Sequence, residues 1–396
     1  MKYNIGNITL LSSMTFFQFF IQGTWSMTLG LVLENNHMAS NIKTAFFLLG
    51  VATILSPLAF GYISDKIISP KAILAALYLL NGINFIILYV SFYHGNINIV
   101  MGIIFLTGVL FYPTISLVNS ITFQNISNEK LFPIIISFGT LGFIFSGFII
   151  GYYEIEDNYN LYLIASFFSV LMAIVSINGN LKLNVIRNNT KDNFILSLSS
   201  VWCSIKKGNS VLIIICALLL MISQVSYSAY IPIYLRYLGF KSPTSIMQLA
   251  VISELLLIFS LSLLLNKFKV RNILIFGSLA YLLRNILFIS AEVYNFTALM
   301  IVVLIIQGIS WVLFFITLDI LLKNISSDEN NHKMQSFKVF FINGIGSSLA
   351  SLVCGMAYNN WVGVEETEGW VYFWSIPLVT SIFAFCILIF TVKHRG

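Results

Sequence analysis

The sequence predicts an all-α membrane protein whose twelve transmembrane helices form two six-helix bundles. Three observations predict it. Of 396 residues, 58% are apolar and only 9% are charged, against roughly 25% charged in a soluble protein. The mean hydropathy is +0.91, and the apolar residues collect in runs close to the ~20 residues that carry a helix across a bilayer. The longest polar stretch, 181–209, divides those runs six and six. A soluble enzyme, a disordered chain and a secreted disulfide scaffold are excluded, because too few charges exist to wet the surfaces such chains expose.

The expected spans are 8–33, 44–64, 71–93, 98–123, 131–153, 160–180, 210–235, 244–266, 272–291, 296–322, 335–358 and 370–392. The first is read as a retained span rather than a signal peptide, since it is too long for a signal core and no small-residue cleavage pattern ends it. Gly and Pro inside several spans are tolerated because neighbouring helices satisfy the freed backbone groups. The division predicts an N-terminal bundle over 1–180, a cytoplasmic central loop over 181–209 and a C-terminal bundle over 210–396. Within the loop, Phe194 to Ile205 is moderately apolar and precedes Lys206 and Lys207. It reads either as a short helix on the membrane surface or as a plain tether.

Orientation follows from Lys and Arg. With the N-terminus inside, 17 of the 21 basic residues fall on inner loops and tails; Lys43, Arg236 and Lys241 fall outside, and Arg284 lies within a span. That asymmetry predicts a topology with both termini inside. The net charge of +6 therefore requires no nucleic acid. The four cysteines and four histidines have no ligand or redox spacing, so no metal, cofactor or catalytic cluster is expected.

Ionisable groups inside hydrocarbon are costly and are functional candidates by default. Glu254 falls ~15 Å from one end of the eighth span and Arg284 ~18 Å from the end of the ninth, at 1.5 Å per residue. Both are expected near the membrane centre. For Glu254, ligand binding or proton carriage is weighed against a structural ion pair with Arg284; for Arg284 the structural reading leads. Asp319 lies nearer the end of its span. Polar and aromatic stripes share this depth. Gln18, Gln22 and Trp25 are spaced i, i+4, i+7 and share one helical face. Gln224, Tyr227 and Ser228 share another, with Ser223 and Tyr230 nearby. Gln307 and Trp311 are four apart, and Thr140 and Phe143 three apart. Each stripe is either interhelical glue or the wall of a mid-membrane site. Amides, hydroxyls and flat aromatic faces suit a neutral polar small molecule bearing a ring.

Gly61-Tyr62-Ile63-Ser64-Asp65-Lys66 joins spans 2 and 3. It resembles the G-x-x-x-D-[RK] loop of the major facilitator superfamily, in which Gly61, Asp65 and Lys66 would have a structural or gating role. The corresponding loop of the second half, Asn266 to Arg271, keeps the basic charge but not the pattern. More specific runs follow: Gln18-Phe19 and Gly23-Thr24-Trp25-Ser26-Met27-Thr28-Leu29-Gly30; Pro113-Thr114 and Asn119-Ser120-Ile121; Phe138-Gly139-Thr140-Leu141-Gly142-Phe143; Ile252-Ser253-Glu254; Leu283-Arg284; and Asn343-Gly344-Ile345-Gly346. In order and spacing they resemble the bacterial nucleoside:proton symporters nearly end to end.

That resemblance implies a major-facilitator fold and proton-driven nucleoside uptake by alternating access, with a site between the bundles. It carries Thr140 and Phe143 over as site residues, Gln224 as a glutamine near the base, and Glu254 as a glutamate near the ribose and candidate proton carrier. Tyr227, Gln307, Trp311, Gln22 and Trp25 complete the expected site. The sequence departs from the family pattern at Ile136 (Arg in the family), Val251 (Gln) and Tyr227 (Asn). The family's Tyr, Phe and Asp in span 10 fall at about Gln307, Trp311 and Val312. The lost Asp leaves proton coupling open, and a transporter of another neutral solute, such as a sugar, remains the alternative; a non-transporting receptor or enzyme is a more distant one. The chain is expected to act as a monomer in the lipid bilayer.

Overall fold

The computed structural model describes residues 5–64, 70–126, 131–178, 210–325, 331–363 and 369–393. Among them every regular element is a helix. The first is α1 (Ile5–Ser26), prolonged after a turn by Leu29–Asn35. There follow α2 (Ile42–Ser64), α3 (Pro70–His94), α4 (Ile97–Asn125), α5 (Leu131–Tyr152) and α6 (Leu161–Asn178). The second half contains α7 (Ser210–Tyr237), α8 (Pro243–Lys267), α9 (Val270–Val293), α10 (Leu299–Ile325), α11 (Met334–Val362) and α12 (Gly369–Lys393). Eleven are long and apolar enough to cross a membrane, and α6 is a shorter apolar helix. Each matches one expected span. The expected surface helix or tether at Phe194 to Ile205 lies outside the described residues.

The chain separates into two compact units. One takes Met1–Asn189 and Pro232–Gln248, the other Thr190–Ile231 and Leu249–Gly396. The bundles expected over 1–180 and 210–396 therefore differ at one place: the end of α7 beyond Ile231, the following turn and the start of α8 pack with the first unit. Pro232 lies inside α7 at this boundary, where a helix has lost one backbone hydrogen bond.

In the first unit α1 lies along α5, α3 along α6, and α2 along α4. Without water, apolar burial does not drive these helices together, so close packing and buried polar bonds hold them. A Cβ at Gly142 would overlap the Phe16 backbone carbonyl, so glycine permits the closest approach of α1 and α5. Ser166 donates to the Gly82 carbonyl at 2.8 Å, Asn84 Nδ2 donates to Thr107 Oγ1 at 2.7 Å, and the Gln18 carbonyl accepts from Tyr78 and, at 3.1 Å, from Thr114. Gln18 thus belongs to the interhelical glue.

The second unit packs α9 along α12 and α10 around a core that includes Leu220, Leu274, Tyr281, Phe314 and Leu318. Both α10 and α11 contain π-helical turns, at Val312–Ile316, Val339–Gly346 and Tyr358–Val362. The Thr317 hydroxyl bonds the Val312 carbonyl, five residues back, at 3.2 Å. Outward stripes such as Leu79, Leu80, Ile83, Ile86, Ile87 and Val90 on α3 are exposed, as a lipid-facing surface requires. Exposed Tyr93, Tyr152, Tyr237 and Tyr294 sit at or just past the C-terminal ends of α3, α5, α7 and α9. Amphipathic rings at helix ends favour the headgroup layer.

Candidate functional site

The second unit holds a continuous polar cluster inside the spans. Gln224 of α7 is its hub: its side-chain carbonyl accepts from the Tyr281 hydroxyl at 3.0 Å and from Gln307 Nε2 at 3.1 Å. Three helices are joined through one oxygen, leaving the Gln307 carbonyl oxygen buried without a partner. Arg284, fully enclosed at 0% exposure, lies beside it. Its Nη2 donates to the Ser223 backbone oxygen at 2.8 Å, to Ser223 Oγ at 2.6 Å and to Asn285 Oδ1 at 3.3 Å. The guanidinium carbon lies 4.8, 5.7 and 5.8 Å from the ring centres of Tyr281, Tyr227 and Phe288, within cation–π range. Asn285 continues the network, donating to Ser223 Oγ at 2.7 Å and to the Pro377 carbonyl of α12 at 3.0 Å.

Glu254 is partly exposed on α8. A Cβ at Gly308 would overlap the Ala250 carbonyl and the Glu254 backbone nitrogen, so glycine seats α8 against α10 one residue from Gln307. Ser253 reinforces the seat by donating to the Ile305 carbonyl at 2.9 Å. The ion pair weighed as the alternative role of Glu254 is not formed with Arg284; Arg236 pairs instead with Glu156 and Asp157, and Lys338 with Asp319 at 2.6 Å. Asp319 is thus tied across α10 and α11.

The other expected residues are distributed as follows. Trp311 is partly exposed and its ring lies 4.8 Å from Phe315. Val312 is fully buried against Leu261 and Ile273, an apolar setting in which this side chain cannot carry a proton. In the first unit Thr140 and Phe143 are partly exposed on α5, and Phe143 lies against α1 at Gly23. Gln22 presents a side-chain oxygen with no partner. Trp25, expected as a stacking wall, is corrected: at 1% exposure its ring is enclosed by Phe85 and Phe111, 6.4 and 5.7 Å away. The face it shares with Gln22 turns inward at its own turn, so no free ring face is offered. Gly61 lies in the last turn of α2; Asp65 and Lys66 lie outside the described residues.

Two groupings escaped the sequence reading. Tyr281, Arg284 and Phe288 are spaced i, i+3, i+7, a stripe that periodicity exposes once Arg284 is taken as its centre. The second is a charged cluster at the Tyr153–Asn160 connection. Glu156 is fully buried. It accepts from Arg236 Nη2 at 3.1 Å, from the Thr244 backbone N–H at 2.9 Å and from the Thr244 hydroxyl. Asp157 accepts from Arg236 Nη1, and its backbone oxygen from Asn35 at 3.2 Å. Glu156 therefore caps α8 from a distant loop, where the helix N-terminus favours a carboxylate. Burial pushes the Glu156 carboxyl up, although Thr244 and Arg236 pull the other way. No sequence signal links residues eighty positions apart.

Eleven helices of membrane-spanning length and a shorter apolar one, with amides, phenols and a guanidinium that has no carboxylate partner among the described residues, belong to a membrane transporter of the major-facilitator type. The comparisons carry this further. The family described as Nucleoside H+ symporter matches residues 6–396, and the chain belongs to that family. It is 25% identical to the putative nucleoside transporter YegT of Escherichia coli (strain K12), over 96% of this chain and 92% of the relative. It is 22% identical to the nucleoside permease NupG of the same organism, over 97% and 96%. A crystal structure of nucleoside transporter NupG superposes with a TM-score of 0.81 at 19% identity, over 98% of both chains. The chain is thus a transporter and not an enzyme.

Proposed function

We propose that this protein imports nucleosides across the bacterial cytoplasmic membrane by alternating access, as a monomer, with proton symport through Glu254. Membership of the nucleoside H+ symporter family supports the substrate class. The single observation that carries the site is the Gln224–Tyr281–Gln307 hydrogen-bonded cluster, with the backbone of Glu254 packed at Gly308, the residue after Gln307. A nucleoside has one face that stacks and edges that donate and accept. The second unit offers amides at Gln224 and Gln307, a carboxyl at Glu254, a phenol at Tyr227 and a ring at Trp311. The first unit offers Phe143, Thr140 and Gln22. Few cations are present, so a phosphorylated ligand fits poorly.

Coupling follows from the same groups. A carboxyl inside a span is a default candidate for proton carriage, and with Val312 buried among aliphatic side chains Glu254 is the carrier. Uptake of a radiolabelled nucleoside panel into proteoliposomes, with and without an imposed proton gradient, tests the reading. Gradient-driven accumulation of at least one nucleoside is expected; uptake that ignores the gradient overturns symport, and transport of sugars alone overturns the substrate class. The orientation is tested in intact cells: a tag near Asn189 resists an impermeant label and one near Asp157 reacts.

A further inference from the structure

Nucleosides differ in the group that the base edge presents. Uracil and hypoxanthine carry a ring carbonyl, which accepts a hydrogen bond; cytosine and adenine carry an amino group in its place, which donates. A free carboxamide reads both kinds, because a half-turn about its last bond exchanges its oxygen for its NH2 group. A site therefore tells them apart through an amide only where that amide is held in one orientation.

Gln224 is held. Its oxygen accepts from the Tyr281 hydroxyl at 3.0 Å and from Gln307 Nε2 at 3.1 Å, so both lone pairs are filled, from two different helices. A half-turn would set the Gln224 NH2 group against that of Gln307. Arg284 opposes the turn as well. Its guanidinium takes the carbonyl and hydroxyl of the preceding residue, Ser223, at 2.8 and 2.6 Å and lies 4.8 Å from the Tyr281 ring centre; a buried cation draws the oxygen end of a neighbouring dipole towards it. With the oxygen turned into the cluster, the NH2 group turns out of it. Among the described residues Gln224 Nε2 has no acceptor, and Gln224 is only partly buried. The side chain therefore offers a ligand two N–H groups and no oxygen. The spare Gln307 oxygen is enclosed and gives a ligand no acceptor in this arrangement.

The geometry points to Tyr281 as a positioning residue for base selectivity: by holding the Gln224 oxygen it fixes that amide as a donor-only contact, which selects nucleosides with an oxo group at the base edge over those with an amino group. This rests on the nucleoside reading above and deepens it from nucleosides to oxo-base nucleosides. Tyr281 touches no ligand in this role, since its hydroxyl is spent on Gln224. An oxo base gives Gln224 Nε2 an acceptor. An amino base sets donor against donor, and both lose water without gaining a partner, which lowers affinity about tenfold.

The test measures direct binding of uridine, cytidine, inosine and adenosine to the purified full-length protein at neutral pH, where all four bases are uncharged. Wild-type protein is measured first. Uridine is expected to bind more tightly than cytidine, and inosine more tightly than adenosine, each by about tenfold. Failure of all four to bind defeats the nucleoside reading itself and this inference with it; binding of both kinds with equal affinity, or a preference for the amino bases, overturns the inference alone. Tyr281→Phe keeps the ring beside Arg284 and removes only the hydroxyl. It frees the amide to turn and is expected to bring both affinity ratios to within about twofold of one. A purely structural loss weakens all four nucleosides alike, so ratios that stay at the wild-type value overturn the inference. In a Gln224→Ala background, adding Tyr281→Phe is expected to change neither ratio, since Tyr281 acts through the amide; a further shift there overturns it. If Tyr281→Phe does not fold, Gln307→Leu decides, because it removes the other donor to the same oxygen: ratios that move towards one support the role, and unmoved ratios overturn it.

Discussion

Two arginines of this chain occupy opposite situations. Arg236 lies at the end of α7, its side chain 36% exposed, and meets two carboxylates, Glu156 and Asp157. Arg284 lies inside α9, fully buried, and meets none. In the first case every charge has a partner and the buried carboxylate also caps a helix through Thr244, so the cluster fastens the turn between α7 and α8 to the Tyr153–Asn160 connection. In the second case half of the guanidinium is idle. A satisfied charge network holds one arrangement, whereas an unsatisfied one retains a reason to change. The difference is one of satisfaction: the Arg236 cluster closes on itself, and Arg284 is held by neutral acceptors and aromatic faces.

The largest effect that tests this contrast is expected at Glu254. Glu254→Gln keeps shape and hydrogen bonding but cannot release a proton. Gradient-driven accumulation should fall to the level of passive equilibration, with counterflow retained; parallel loss of both would make Glu254 a ligand contact only.

Next is Arg236→Ala, which leaves Glu156 buried with its charge partner gone. A lost partner for a buried charge costs about 1–3 kcal/mol, at the lower end here because the guanidinium is partly exposed. The purified protein should melt at lower temperature, while the ratio of accumulation to counterflow stays at the wild-type value. A changed ratio with unchanged melting would show that the cluster does more than hold the turn.

Phe143→Ala is the uncharged control. Losing one stacking face should weaken nucleoside binding by about 1 kcal/mol, close to fivefold, without altering coupling. Unchanged affinity in a direct binding assay removes Phe143 from the site.

The smallest effect concerns pH. Burial raises the proton affinity of Glu156 in the closed cluster above that of an exposed carboxylate. The closed cluster therefore gains stability as pH falls through that raised value and loses it as pH rises. Labelling of a cysteine placed at Ser242, whose hydroxyl donates to the Gly151 carbonyl, should slow at acid pH, and Glu156→Gln should flatten the dependence. Equal slopes in the two proteins would show that another group titrates.

Much of the architecture was legible in the residue order because the bilayer imposes a local rule: each crossing segment must satisfy its backbone within itself and show lipid an apolar surface. Helix count and boundaries to within a few residues follow from that rule. Helical spacing alone puts Thr140 and Phe143 on one face. Such inferences fail where side chains of different helices compete for one partner. Spacing set Trp25 beside Gln22, but neighbouring helices enclosed its ring between Phe85 and Phe111. Depth allowed Glu254 and Arg284 to pair, but the guanidinium donates to Ser223 and Asn285.

By itself, the sequence determined a multi-pass membrane protein of apolar helices that carry amides, aromatics and a few charges within them, since periodicity and transfer energy act along the chain. Only the tertiary structure decided that Gln224, Tyr281 and Gln307 share one oxygen, that Glu156 caps α8, and that Arg284 keeps two donors idle. Those facts depend on how ridges of neighbouring helices interlock, and on glycines such as Gly142 and Gly308 that let backbones meet, a geometry that no single segment encodes.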